Sequence, residues 1–82
     1  MPTHTLHDCY NAIMLRCNNE YAKSYAGPGL LMRDAANWAE CTDEARIQAR
    51  YVRANLAHWR GDEARAIRTA LDKIIYIPRR SK

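Results

Sequence analysis

The chain has 82 residues with a formal charge of +4, 27% charged residues and three cysteines. It is long enough for one small domain that buries somewhat over ~60% of its unfolded surface, with modest stability expected. It lacks the run of about 18 apolar residues that a membrane span requires, and Met1 to His7 has neither the basic start nor the apolar stretch of a secretory signal. Cys9, Cys17 and Cys41 are an odd number without paired spacing, so they read as reduced thiols in a cytoplasmic protein rather than as a disulfide framework.

The expected architecture is all-α, a bundle of about four helices over residues 6–26, 30–40, 43–60 and 62–77, forming a single domain with a short basic tail at 79–82. Thr5 and Asp8 form a capping-box pattern, and Leu6, Cys9, Tyr10, Ile13, Met14, Cys17 and Tyr21 follow at helical spacing. Gly27-Pro28-Gly29 is expected to end this first helix. A shorter helix over 30–40 would then bury Leu31, Ala35 and Trp38.

Thr42 is a good N-cap for the third helix, with Asp43 and Glu44 on the positive end of its dipole. Two apolar stripes run along it. Ala45, Ala49, Val52, Leu56 and Trp59 form one, and Ile47, Tyr51, Ala54 and His58 form another on nearly the opposite side, which marks a central helix or one that meets a second copy of the chain. Gly61 is expected to stop the helix, and Asp62 to open a fourth that buries Ala64, Ile67, Leu71 and Ile74 before Pro78 forbids extension. Asp-Glu-Ala-Arg occurs at both 43–46 and 62–65. Similarity fades at once, so this is a repeated helix start and not a solenoid.

Charge is unevenly spread: residues 1–45 carry a net −3 and residues 46–82 a net +7. On an unbroken helix from 42 to 60, Arg46, Arg50, Arg53 and Arg60 would share one narrow sector. Like charges at that spacing cost about 0.2–0.5 kcal/mol per pair, so the row requires acidic neighbours inside the fold, for which Asp34, Glu40, Asp43 and Asp72 are the candidates, or an acidic partner outside it. Arginine engages carboxylate or phosphate through a planar fork that lysine lacks. With Tyr51 and His58 alongside, the row has the Tyr-plus-Arg mixture enriched in binding hot spots.

The expected function is therefore that of a small non-enzymatic binding protein, a regulator or inhibitor. Its partner would be an acidic protein surface or a nucleoprotein complex, met through Arg46, Arg50, Arg53, Arg60, Tyr51 and His58, with a homodimer as a further expectation. By class analogy, small basic domains without an enzyme motif are typical of phages and mobile elements, anti-CRISPR proteins among them. The alternative is a DNA-binding regulator in which 30–40 and the third helix resemble a helix-turn-helix, with Arg46, Arg50, Arg53, Arg79 and Arg80 on nucleic acid. Against it, Glu40 stands where the turn favours a small residue, and Arg46 where a buried aliphatic anchors the recognition helix.

Other coincidences are weaker. His4, His7 and Cys9 suggest metal ligation, but their spacing matches no strong zinc pattern, and no motif calls for a cofactor. Arg60-Gly61-Asp62 matches a cell-adhesion tripeptide, but a glycine helix stop followed by an aspartate helix cap explains it completely. Gly61-Asp62, Ala66-Ile67 and Pro78 resemble only the second half of a tetratricopeptide repeat.

Overall fold

The computed structural model describes residues 4–77. Pro78, Arg79, Arg80 and the rest of the expected basic tail lie outside the described residues. Among the described residues there are four α-helices, α1 Leu6–Arg16, α2 Glu20–Gly29, α3 Asp43–Ala54 and α4 Asp62–Ile75, with one 3₁₀ turn at Trp38–Glu40. The all-α class and the count of about four helices are as expected, and α1, α3 and α4 start where expected. The other boundaries differ.

The capping box forms as the sequence implies: the Asp8 amide donates to Thr5 Oγ1 at 3.2 Å, and the Thr5 amide donates to Asp8 Oδ2 at 3.0 Å. The helix expected over 6–26 nevertheless breaks after Arg16. Cys17 turns extended at φ −79°, ψ 140°, and Asn19 Oδ1 accepts from the amides of Tyr21 and Ala22 at 2.8 and 3.0 Å. One asparagine side chain thus satisfies two otherwise orphaned donors and starts α2.

Gly27-Pro28-Gly29 does not end the helix early, because α2 carries this tripeptide in its last turn. Gly29 lies against Tyr10: a Cβ there would stand 2.4 Å from the ring carbon Cε2. The absence of a side chain is what lets α1 and α2 close together.

Residues 30–40 do not form the expected α-helix. Their polar side chains capture local amides instead: Ala35 N–H donates to Asp34 Oδ1 (2.8 Å), Ala36 N–H to Glu40 Oε1 (2.9 Å) and Glu40 N–H to Asn37 Oδ1 (3.1 Å). Such bonds compete directly with a helical ladder. The segment also docks on the start of α1 through Leu6 N–H to the Ala35 carbonyl at 2.8 Å and His7 N–H to Asp34 Oδ1 at 2.8 Å. Ala35 is buried as expected, whereas Trp38 is half-buried and Leu31 is exposed.

α3 begins at the expected cap, with Ala45 N–H donating to Thr42 Oγ1 at 3.1 Å. It ends at Ala54, not at residue 60. Asn55 Nδ2 donates back to the Tyr51 carbonyl at 2.9 Å, and the chain then winds through short turns from Arg53 to Leu56 and from Leu56 to Trp59. Arg68 of α4 donates to the carbonyls of Leu56 and Trp59 and fixes this connection. Leu56 still reaches the core and Trp59 packs against it, so the inner stripe keeps its burial although its last two members have left the helix. Gly61, at φ +111°, then turns the chain into α4, which ends at Ile75, two residues short of expectation.

The helices pack as a ring in which α1 contacts α2 and α4, and α3 contacts α2 and α4. The core comprises one cluster that includes Leu6, Tyr10, Ile13, Val52, Leu56, Ile67, Leu71 and Ile74. All three cysteines are buried free thiols. Burial pushes the Cys9 thiol up to about 12, so it serves as a small apolar core residue and not as a nucleophile. No helix among the described residues is long and apolar enough to cross a membrane.

Candidate functional site

The arginine row is divided. Arg46, Arg50 and Arg53 lie on α3, but Arg60 lies beyond its end in the α3–α4 connection. The four guanidinium groups therefore do not form the single helical ridge expected of an unbroken 42–60 helix.

Two of the four are used within the fold. Arg46 donates to Asp43 Oδ1 at 2.6 Å and to the carbonyls of Trp38 and Cys41 at 3.0 and 2.7 Å. Its guanidinium carbon sits 4.5 Å from the centroid of the Trp38 ring, and only 14% of its side chain is exposed. This arginine staples the 3₁₀ turn to the first turns of α3. Arg53 reaches Asp72 of α4 with a fork, Nε to Oδ1 at 2.9 Å and a terminal nitrogen to Oδ2 at 3.4 Å, and so ties α3 to α4. For these two the acidic neighbour is internal.

Arg50 is exposed and makes no hydrogen bond or ion pair with the described residues. It stands on the outer side of α3 with apolar groups to either side. Ile47 and Tyr51 are both more than half exposed, and the Tyr51 ring stacks on Tyr25 of α2 with centroids 5.4 Å apart and planes at 23°. Tyr21, one turn before Tyr25, is 71% exposed. Gln48 donates to the Tyr25 carbonyl at 2.7 Å and holds the two helices in register. Toward α4, Arg50 borders a hollow of about 510 Å³ shared with Trp38, Arg46, Ile75, Tyr76 and Ile77. The result is one unpaired cation amid exposed tyrosine and aliphatic side chains.

His58 does not flank Tyr51. It is exposed in the α3–α4 connection and lines a separate cleft with Arg60. Tyr21, Tyr25 and Ile47 join this face without having been expected as site residues, Tyr21 being expected on the buried stripe of the first helix and Ile47 on the second stripe of the third. A continuous helix over 6–26 places Tyr21 on the buried stripe, and the break at 17–19 changes the register and turns it outward. The Asn18-Asn19 pair was the available signal, since asparagine favours the N-cap position.

The helix-turn-helix arrangement is not formed, because 30–40 is not an α-helix and both Arg46 and Arg53 are engaged internally. Arg79 and Arg80 lie outside the described residues. The metal candidates are also separated by their contacts: His7 Nε2 bonds the Met32 carbonyl at 2.7 Å and Cys9 is fully buried. Among the described residues, no three His, Cys, Asp or Glu side chains are grouped to hold a metal ion.

Two further carboxylates have identifiable structural duties. Burial works against the Asp34 carboxylate, but the amides of His7 and Ala35 outweigh it and hold its pKa below the ordinary value. The hydrogen bond from Arg16 does the same for Glu63, and raises the pKa of Arg16 in return. Neither carboxylate is poised for proton transfer near neutral pH. No family model, no curated protein and no solved structure matches the chain.

Proposed function

We propose that this chain is a small non-enzymatic binding protein, a regulator or inhibitor of the kind carried by phages or mobile elements, that engages an acidic protein surface through the outer face of α3. The observation that carries the reading is Arg50, a cation without a partner among the described residues, standing beside exposed Ile47 and the Tyr25–Tyr51 stack. Exposed apolar groups gathered on one face mark interaction surfaces. Tyrosine and arginine together supply contact area, ring edges and a carboxylate fork.

A protein partner suits this face better than a phosphate backbone. Phosphate binding draws on several cations in a row, and two of the three arginines on α3 are already engaged by Asp43 and Asp72. The test is affinity capture from the native host with the intact chain and with the Arg50→Glu, Tyr51→Ala double variant, helical content being checked by circular dichroism. Retention of an acidic protein by the intact chain, and its loss from the equally helical variant, supports the proposal. Equal retention by both, or capture that nuclease treatment abolishes, overturns it.

A further inference from the structure

A second concave site lies away from the outer face of α3, where the α1–α2 turn meets the α3–α4 connection. It encloses about 550 Å³ and is lined by Arg16, Asn18, Asn19, His58, Trp59 and Arg60. This volume falls within the range of small-ligand pockets, about 300–1,000 Å³. No carboxylate belongs to the lining. Glu63 of α4 is held by Arg16 through Nε alone, which leaves both terminal nitrogens of Arg16 without a partner among the described residues. Arg60 is exposed and unpaired among the described residues.

The other walls are chemically distinct and fixed in place. Trp59 packs its indole against the core, its amide donates to the Leu56 carbonyl at 3.1 Å, and its own carbonyl accepts from Arg68. A flat ring is therefore held at the edge of a cationic cleft. Asn19 has committed its side-chain oxygen to the start of α2, so its amide hydrogens are what it offers the cleft, and Asn18 is exposed with both donor and acceptor free among the described residues. α4 starts beside the cleft at Gly61, which provides no side-chain cap to the helix amides.

We propose that this cleft binds a nucleotide bearing a phosphate, with Arg16 and Arg60 on the phosphate, Trp59 stacked on the base, and Asn18 and Asn19 on its polar edge. Two guanidinium forks match phosphate oxygens. An indole face attracts any base regardless of sequence. Neither group alone points to a nucleotide; their junction in one cleft of this size matches one. The site is separate from the Arg50 face, and each stands or falls independently.

The test is an NMR titration of the full chain with AMP, inorganic phosphate, adenosine and a short single-stranded oligothymidine. AMP is expected to shift the Trp59 indole N–H and the side-chain amides of Asn18 and Asn19, and to bind roughly tenfold or more tightly than either phosphate or adenosine. Arg60→Gln should weaken AMP binding about tenfold, the scale of one charge-assisted hydrogen bond, and Arg50→Gln should leave it unchanged. Tighter binding of the oligonucleotide than of AMP identifies a strand as the source of the nucleotide, and the reverse order identifies a free nucleotide. No shift at Trp59 with about 10 mM AMP, a concentration at which even millimolar affinity saturates, overturns the proposal. So does equal binding of AMP and phosphate, or an Arg60→Gln protein that binds AMP as well as the unaltered chain.

Discussion

Replacing Arg46 with alanine should destabilise the fold although the residue belongs to an arginine-rich helix, and the structure allows the loss to be estimated. Its bonds to the Trp38 and Cys41 carbonyls are partly buried, and hydrogen bonds from a charged donor contribute about 1.5 kcal/mol or more each at the protein level. The guanidinium over Trp38 adds about 0.5–1 kcal/mol. The pair with Asp43 adds little, since that carboxylate is 94% exposed and surface pairs are worth about 0–1 kcal/mol. Against these, Arg46 Nε is buried without a partner, and removing it relieves a cost of about 1 kcal/mol or more. The net expectation is a loss of about 2–3 kcal/mol, or roughly 10–20 °C in Tm for a domain of this size. Urea unfolding followed by circular dichroism measures it. Arg50→Ala, at an exposed position without partners, should stay within about 0.5 kcal/mol of the parent. If Arg46→Ala costs less than about 0.5 kcal/mol, or Arg50→Ala costs as much as Arg46→Ala, the division between structural and free arginines is wrong.

Further predictions concern the core and the termini of the helices. Gly29→Ala should lower stability by about 1–3 kcal/mol, because the new methyl meets the Tyr10 ring and overpacking at that distance forces the helices apart; thermal melts decide it. Tyr10→Phe should be neutral or slightly stabilising, since the buried Tyr10 hydroxyl has no hydrogen-bond partner and its removal ends a desolvation cost. Cys9, raised to about 12 and fully buried, should react with a thiol reagent only as fast as the protein opens, so that its modification rate rises with urea across the unfolding transition. The Asp34 carboxyl is depressed in the folded state: its stabilising contribution is complete above the unfolded carboxyl value, near 4, and is lost as pH falls through the lower folded value. Asp34→Ala should accordingly flatten the acid limb of a Tm-against-pH curve, and an unchanged limb would remove Asp34 from the account of how residues 30–37 dock on α1.

Much of the core was legible in the sequence, because burial follows apolar spacing even when the helix supporting it ends early. Ala45, Ala49 and Val52 are buried on α3, and Leu56 is buried from the turn that follows. The caps Thr5 and Thr42 were equally readable, since a hydroxyl before an acidic first turn has a direct local role. What periodicity missed were the interruptions imposed by polar side chains on their own backbone: Asn19 dividing the first helix, Asp34, Asn37 and Glu40 replacing the second, and Asn55 closing the third. These bonds leave no trace in a hydrophobic pattern. They also moved the surface, turning Tyr21 outward and separating Arg60 and His58 from Arg50 and Tyr51. The pairing of Arg53 with Asp72 joins residues 19 apart in sequence; Asp72 and Asp43 are among the acidic candidates that the sequence offers the row, and the fold selects these two.

The account rests on Arg50 and Tyr51 forming a contact face while Arg53 serves the fold. The most direct measurement is the affinity of the captured partner for Arg50→Ala, Tyr51→Ala and Arg53→Ala proteins, at a temperature where all three are folded. The account predicts losses of roughly tenfold or more for the first two, the scale of hot-spot residues, and less than about threefold for Arg53→Ala. Equal losses in all three, or a loss confined to Arg53→Ala, would contradict it.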